Sequence, residues 1–116
     1  MAYQSIIPGS IVVGQSESNI FQLNEATAVG VTISGSVLTG TTLSFLVSDR
    51  GTDFYHLYDD EGTEITVTAG SSARCLSLNP NHFFPWNFVK CRLGTSASPV
   101  NQASYDVPLT INSKIL

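Results

Sequence analysis

The chain has 116 residues and a net charge of −4, and only 12% of its residues are charged, against roughly 25% in an average globular domain. Its five basic residues are scattered and six of its nine acids lie within positions 49–64, which excludes recognition of a phosphate backbone. No apolar run approaches the roughly 20 residues of a membrane-spanning helix, and the N-terminus lacks a signal-peptide pattern. We therefore expect a soluble protein made in the cytoplasm, with neither a nucleic-acid nor a membrane partner.

Uncharged polar residues replace the missing charges. The chain contains fifteen serines and eleven threonines, whereas a monomer usually stays soluble through a surface of mixed charge. A surface rich in hydroxyl and amide groups costs little to desolvate and suits a large, permanent contact with other proteins. The alternative is an ordinary sandwich with a bland surface. We favour a protein that works by binding and packing.

Apolar and polar residues alternate with the period of a β-strand along most of the chain. The clearest segments are 28–34, 42–48, 64–68 and 105–111, and weaker ones are 10–14, 18–23, 53–58, 73–78 and 87–93. Turn-forming residues separate them, as in the stretch 69–72. Short alternating strands at this spacing predict one all-β domain, a sandwich or a barrel, and we favour an antiparallel β-sandwich of the jelly-roll type.

Residues 1–14 have two interpretations. They are apolar, nearly uncharged and interrupted by Pro8. They form either an N-terminal arm that packs on a neighbouring subunit or the first strand of the domain, and residues 15–116 form the sandwich in both cases. Ile6 and Ile7 are the partner-contact candidates in this segment.

Two prolines mark special positions. Pro108 lies inside the last predicted strand and cannot donate a ladder hydrogen bond. It therefore predicts that this strand is at a sheet edge or that the proline nitrogen points outward. Pro80 follows Asn79, which predicts a short helical turn with Asn79 as its cap.

The two cysteines predict two unpaired thiols. They are too few for a disulfide scaffold or a cysteine-based zinc site. Leu76 and Leu78 are expected to face the core, so alternation places Cys75 on the outer face. Val89 and Leu93 are also expected to face the core, so alternation places Cys91 on the inner face. Side chains on opposite faces of a sheet cannot meet disulfide geometry.

No motif points to catalysis, a cofactor or a metal. His56 and His82 are the only histidines, and no GxSxG, HExxH or phosphate-cradling glycine motif occurs. The acidic stretch 59–62 lacks the spacing of a calcium loop and predicts a solvated hairpin turn. We expect a protein that is not an enzyme and holds no cofactor.

Four aromatic residues lie within positions 83–88, more aromatic surface than one end of a sandwich readily buries. Pro85 turns the chain just before Trp86, so Trp86 is the strongest candidate for partner contact, with Phe83 and Tyr55 as further candidates. Exposed aromatic rings anchor protein interfaces or stack on sugars. The alternative is that the rings only close one end of the sandwich.

Residues 43–57 (LSFLVSDRGTDFYHL), 76–80 (LSLNP), 88–95 (FVKCRLGT) and 99–103 (PVNQA) follow one another in a recognisable pattern. Together they resemble small β-sandwich virion proteins of tailed bacteriophages, over residues 15–112. The resemblance implies a non-enzymatic structural protein of the virion. Within that class it implies a capsid cement or decoration protein that binds the major capsid protein and stabilises the head, as a homo-oligomer with a trimer favoured.

One departure from the pattern leaves an alternative open. The step Phe84-Pro85-Trp86 stands where members of this class have a Gly-Trp or Gly-Val step, so the resemblance does not define the role of the loop. The stretch 48–58 (SDRGTDFYHLY) is similar to galactose-binding sandwich modules. The alternative function is therefore a tail or fibre component that binds a surface glycan or receptor.

Overall fold

Two antiparallel β-sheets pack face to face in the computed structural model, which describes residues 4–34, 38–70, 73–103 and 105–115. The strands within these ranges are β1 (Gln4–Ile11), β2 (Phe21–Gln22), β3 (Thr27–Ile33), β4 (Thr42–Ser48), β5 (Tyr55–His56), β6 (Thr66–Thr68), β7 (Arg74–Ser77), β8 (Phe88–Leu93) and β9 (Val107–Lys114). The helical structure in the same ranges is one 3₁₀ turn, Pro80–His82. The predicted all-β sandwich is confirmed, and the turn predicted at 69–72 extends outside the described residues.

The strand order is that of a jelly roll. The first sheet has the order β1-β9-β3-β7 and the second the order β2-β8-β4-β5, with β6 also paired to β4. The chain alternates between the sheets, except that β4, β5 and β6 all belong to the second. Because β5 and β6 pair with the two ends of β4, they are two halves of one edge strand. Residues 57–65 interrupt that strand as a hairpin.

The core lies between the sheets and is built by alternate residues of each strand. In β4 the inward residues are Leu43, Phe45 and Val47, all buried. The ring of Phe83 packs edge-to-face on Phe45, with centroids 5.1 Å apart. Strand β9 begins at Val107, two residues later than predicted, so Tyr105 lies outside it and is exposed.

Pro108 lies in an internal strand, because β9 runs between β1 and β3. The prediction of an edge position is therefore wrong. The Pro108 carbonyl accepts a hydrogen bond of 3.3 Å from the Ser34 N–H, one residue beyond the end of β3. The nitrogen and carbonyl of one strand residue point to the same side, so the Pro108 nitrogen also faces the place where β3 stops pairing. A missing donor is tolerated there.

Residues 4–11 form an edge strand, whereas the sequence pattern placed a strand over 10–14. Strand β1 pairs with β9 along its whole length, from Gln4 opposite Lys114 to Ile11 opposite Val107. Pro8 lies in this strand, and proline is typical of sheet edges because it removes a donor that another chain would pair with.

The cysteines lie as predicted, and both are free thiols. Cys75 is exposed on β7, whereas Cys91 is fully buried in β8. Burial raises the pKa of the Cys91 thiol to about 12. Separately, the described part of the chain contains no helix with the length and apolarity that crossing a membrane requires.

Candidate functional site

A groove runs along the β5 edge of the second sheet, where this edge meets the loop that carries Trp86. It consists of two cavities of about 410 and 480 Å³ that share Leu57, Tyr58 and Trp86 in their walls. These volumes lie within the range of small-molecule sites. Tyr55 lines the first cavity and is 69% exposed. We name this feature the Trp86 groove.

The loop before β8 places Trp86 in this wall through local capping and one buried anchor. The Asn79 side chain accepts a hydrogen bond of 3.1 Å from the Asn81 N–H, and Pro80 begins the 3₁₀ turn, as predicted. Phe83 then enters the core. The backbone N–H of Trp86 donates to the backbone carbonyl of Phe83 at 3.1 Å. The chain therefore turns back and leaves the indole half-buried at the groove.

The polar walls of the groove contain three carboxylates, two imidazoles (His56 and His82) and three neutral polar side chains. Asp49 lines the first cavity, and Asp59 and Asp60 line the second, whereas no described residue lining either cavity is Lys or Arg. The Asp59 carboxylate accepts bonds of 2.9 Å from the backbone N–H groups of Thr63 and Glu61, and these bonds lower its pKa. The groove therefore combines aromatic surface with carboxylate hydrogen-bond acceptors.

A buried ion pair attaches the 57–65 hairpin, one wall of the groove, to the second sheet. Arg92 of β8 is 3% exposed. Its Nη2 donates to Glu64 Oε2 at 2.8 Å, and its Nε donates to the Ser44 hydroxyl at 2.9 Å. The Ser96 N–H donates to the same carboxylate, at 3.0 Å to Oε2. The arrangement pairs both charges and holds the hairpin in place.

His56 completes this network. Arg92 Nη1 lies 2.8 Å from His56 Nδ1. A guanidinium carries only donors, so Nδ1 accepts this bond and the imidazole proton is on Nε2. The network thus joins β4, β5, β8 and the hairpin. Sequence reasoning missed it, because alternation places Arg92 and Ser44 on the outer face without indicating that other residues cover them.

The outer face of the first sheet is different in chemistry. Among the described residues, its side chains carry no charge between the strand ends. Of the two charged residues of these strands, Lys114 continues the outer row of β9 at its last position and Arg74 is the first residue of β7. We name it the uncharged face; its members are Ile6, Pro8, Ser10, Gly30, Thr32, Cys75, Ser77, Pro108, Thr110 and Asn112. The Asn112 amide donates to the Thr32 hydroxyl at 3.1 Å, which places both side chains on this face.

The structure separates the predicted contact residues into three groups. Trp86 and Tyr55 meet in the groove. Ile6 is 64% exposed on the uncharged face, whereas Ile7 is half-buried against the core. Phe83 is 1% exposed, so it cannot contact a partner at the surface of this fold.

The exposed phenylalanine of the loop is Phe84, which is 69% exposed. The sequence offers no local signal for which of two adjacent phenylalanines faces inward, because the loop has no strand period. Asp59 forms the predicted hairpin turn with Gly62, whose φ is 83°. The described residues contain no cluster of three metal-ligating side chains.

Comparisons with known proteins bear on the fold. No protein-family model matches the chain, and neither does a curated protein. The crystal structure of YomS, a protein derived from the SPBc2 prophage, is similar over 98% of this chain and 95% of that chain, with a TM-score of 0.57 and 13% identity. A structure of disulfide-linked pili from Bacillus endospore appendages covers 100% of this chain and 90% of that chain at 16% identity, but its TM-score of 0.42 carries no argument. The chain therefore has the fold of a prophage-derived protein.

Proposed function

We propose that the chain is a non-enzymatic structural protein of a tailed-phage virion, and within that class a capsid cement or decoration protein. The observation that carries this proposal is the uncharged face. The fold shared with YomS, whose name describes a prophage-derived protein, supports the phage context. The proposal places the protein in the virion, bound to the major capsid protein.

The uncharged face suits burial against another protein. Interface cores are depleted of charged residues, since a charge that loses its water needs a partner of matching geometry. Hydroxyl groups on this face cost less to desolvate and already bond to one another, as Thr32 does with Asn112. Ile6 and Pro8 add exposed apolar surface at its β1 side. A partner protein can thus cover this face without burying an unpaired charge.

Cementing would act by mass action. A protein that binds only assembled capsid subunits stabilises the shell relative to its dissociated state. The resemblance of residues 15–112 to virion proteins favours a trimer, in which each protomer would contribute one uncharged face. No catalytic step is involved.

Charge inserted into the uncharged face tests the proposal. We expect Thr110→Lys to leave the fold intact, with stability changed by less than about 0.5 kcal/mol, and to abolish attachment to capsids. Thr66→Lys is the matched control, because Thr66 is an exposed strand threonine of the other sheet. Copies per purified particle and the temperature of genome release measure the effect. Normal attachment of Thr110→Lys, or equal melting of particles with and without the protein, would contradict the cement role.

The tail alternative differs in copy number. A decoration protein occurs in hundreds of copies per particle, whereas a tail or fibre component occurs in a few to dozens. Quantitative mass spectrometry of purified particles separates the two. Light scattering of the isolated protein tests the expected homo-oligomer, and a monomer at all concentrations would argue against a trimer.

A further inference from the structure

We propose that the Trp86 groove binds a neutral saccharide. This inference is independent of the cement role, because it concerns a different surface and a different ligand. It rests on the aromatic walls of the groove, on its charge and on its position in the fold.

The aromatic walls match the apolar side of a sugar ring. Trp86 is partly buried, packs against the core and lines the cavity. Tyr55 and Tyr58 line the same cavity and are exposed. Flat rings offer rigid, amphipathic surface at small entropic cost, and the C–H face of a pyranose is the complementary flat apolar surface.

The polar walls match the hydroxyl groups of a sugar and select against charge. Asp49, Asp59 and Asp60 supply carboxylate oxygens that accept hydrogen bonds from hydroxyl groups. The described lining contains His56 and His82 but no Lys or Arg, so a sialylated, uronic-acid or phosphate-bearing glycan would meet three carboxylates and no guanidinium or ammonium group. The groove therefore favours an uncharged saccharide.

The groove is also pre-formed and accessible. The Arg92–Glu64 pair holds the hairpin that forms one wall, so little ordering is needed on binding. No residue lining the groove belongs to β1, β3, β7 or β9. A protein attached through the uncharged face would leave the groove exposed to solvent.

Binding of the intact chain to an array of neutral, sialylated and uronic-acid oligosaccharides tests the proposal. We expect signal on neutral glycans alone, followed by calorimetric titration with the best neutral oligosaccharide. Tyr55→Ala should weaken that binding by about tenfold. Tyr105→Ala is the matched control, because Tyr105 is similarly exposed, at 64% against 69%, but does not line the groove. Asp60→Asn should also weaken binding, while improving tolerance of acidic sugars.

Trp86→Ala should abolish binding, with Phe84→Ala as the control from the same loop. If loss of the indole unfolds the domain, the exposed Tyr55→Ala variant still decides the question. No glycan signal, selective binding of anionic glycans, or equal affinity of Tyr55→Ala and Tyr105→Ala would overturn the proposal. None of these results bears on capsid attachment, which Tyr55→Ala should leave unchanged.

Discussion

The two outer faces of this sandwich are built on the same alternation of strand residues but differ in what covers them. The uncharged face carries Ser, Thr, Asn and Pro side chains and is accessible to solvent. The outer face of the second sheet buries Ser44, Leu46 and Arg92. The 57–65 hairpin covers part of it, and the Phe54 ring lies 4.8 Å from the Lys90 ammonium on another part.

This difference between the two outer faces shows how a covered face satisfies its polar groups. Part of the second sheet is covered by its own chain, and the charge there is paired inside the fold, as in the bond between Arg92 and Glu64. The first sheet carries charge only at strand ends, in Arg74 and Lys114, so another protein can cover its middle at small desolvation cost. Four experiments break or sharpen this comparison.

Breaking the buried pair should have the largest effect. Arg92→Ala removes the cationic partner of Glu64 and the donor to the Ser44 hydroxyl, and removal of one member of a buried ion pair typically costs about 3–5 kcal/mol. Denaturant unfolding at neutral pH measures the loss. Arg50→Ala, in an exposed turn, is the control and should be near neutral. An unchanged midpoint in Arg92→Ala would mean that the hairpin is held by apolar contacts alone.

The cysteines distinguish the uncharged face from the core. Cys91→Ser places a hydroxyl in the buried core and should cost about 1–3 kcal/mol, whereas Cys75→Ser should cost less than about 0.5 kcal/mol. In the native protein a thiol reagent should modify Cys75 and leave Cys91 unmodified until the chain unfolds. Rapid native labelling of Cys91 would contradict the buried assignment.

Alkaline pH gives the same cysteine comparison a second measurement. The folded pKa of Cys91, about 12, exceeds its ordinary value of 9.0. Its contribution to stability is therefore complete below pH 9.0 and is lost as the pH rises toward 12. Cys91→Ala should remove this part of the alkaline loss, while Cys75→Ala should retain it.

The smallest effect should come from the exposed ion pair on the second sheet. Lys90 Nζ lies 3.4 Å from Glu17 Oε1, with side-chain exposures of 25% and 42%. Water and salt screen such a pair, so Lys90→Ala should cost about 0.2–1 kcal/mol even with the Phe54 contact. Thermal melts at low and high salt measure it, with Lys114→Ala as the control. A loss as large as that of Arg92→Ala would refute the distinction between covered and exposed charges.

Much of the fold was predictable because the informative patterns are local. Alternation in 42–48 identified the inward set Leu43, Phe45 and Val47, which the structure buries. The same reasoning oriented both cysteines, and the Asn79-Pro80 step located the 3₁₀ turn. Each of these depends on neighbours within a few residues, which the sequence displays directly.

Less of the candidate site was predictable. Trp86 and Tyr55 were both expected to contact a partner, but only pairing of β5 with β4 and burial of Phe83 bring them to one groove. Phe83 and Phe84 are the same residue type, so the sequence does not distinguish them. The tertiary structure does, because the Phe83 ring packs on Phe45 in the core. In the sequence Arg92 is one of five scattered basic residues, and only the tertiary structure shows that the hairpin covers it.

The sequence by itself determined the all-β class, the inward and outward sides of the main strands, and the low surface charge, because these follow from residue type and a period of two. Tertiary structure alone decided the strand order, and with it the internal position of Pro108 and the pairing of Gln4–Ile11 with β9. It also decided which outer face is covered. These outcomes depend on contacts between residues far apart in the chain, and alternation specifies the faces of a strand but not its neighbour.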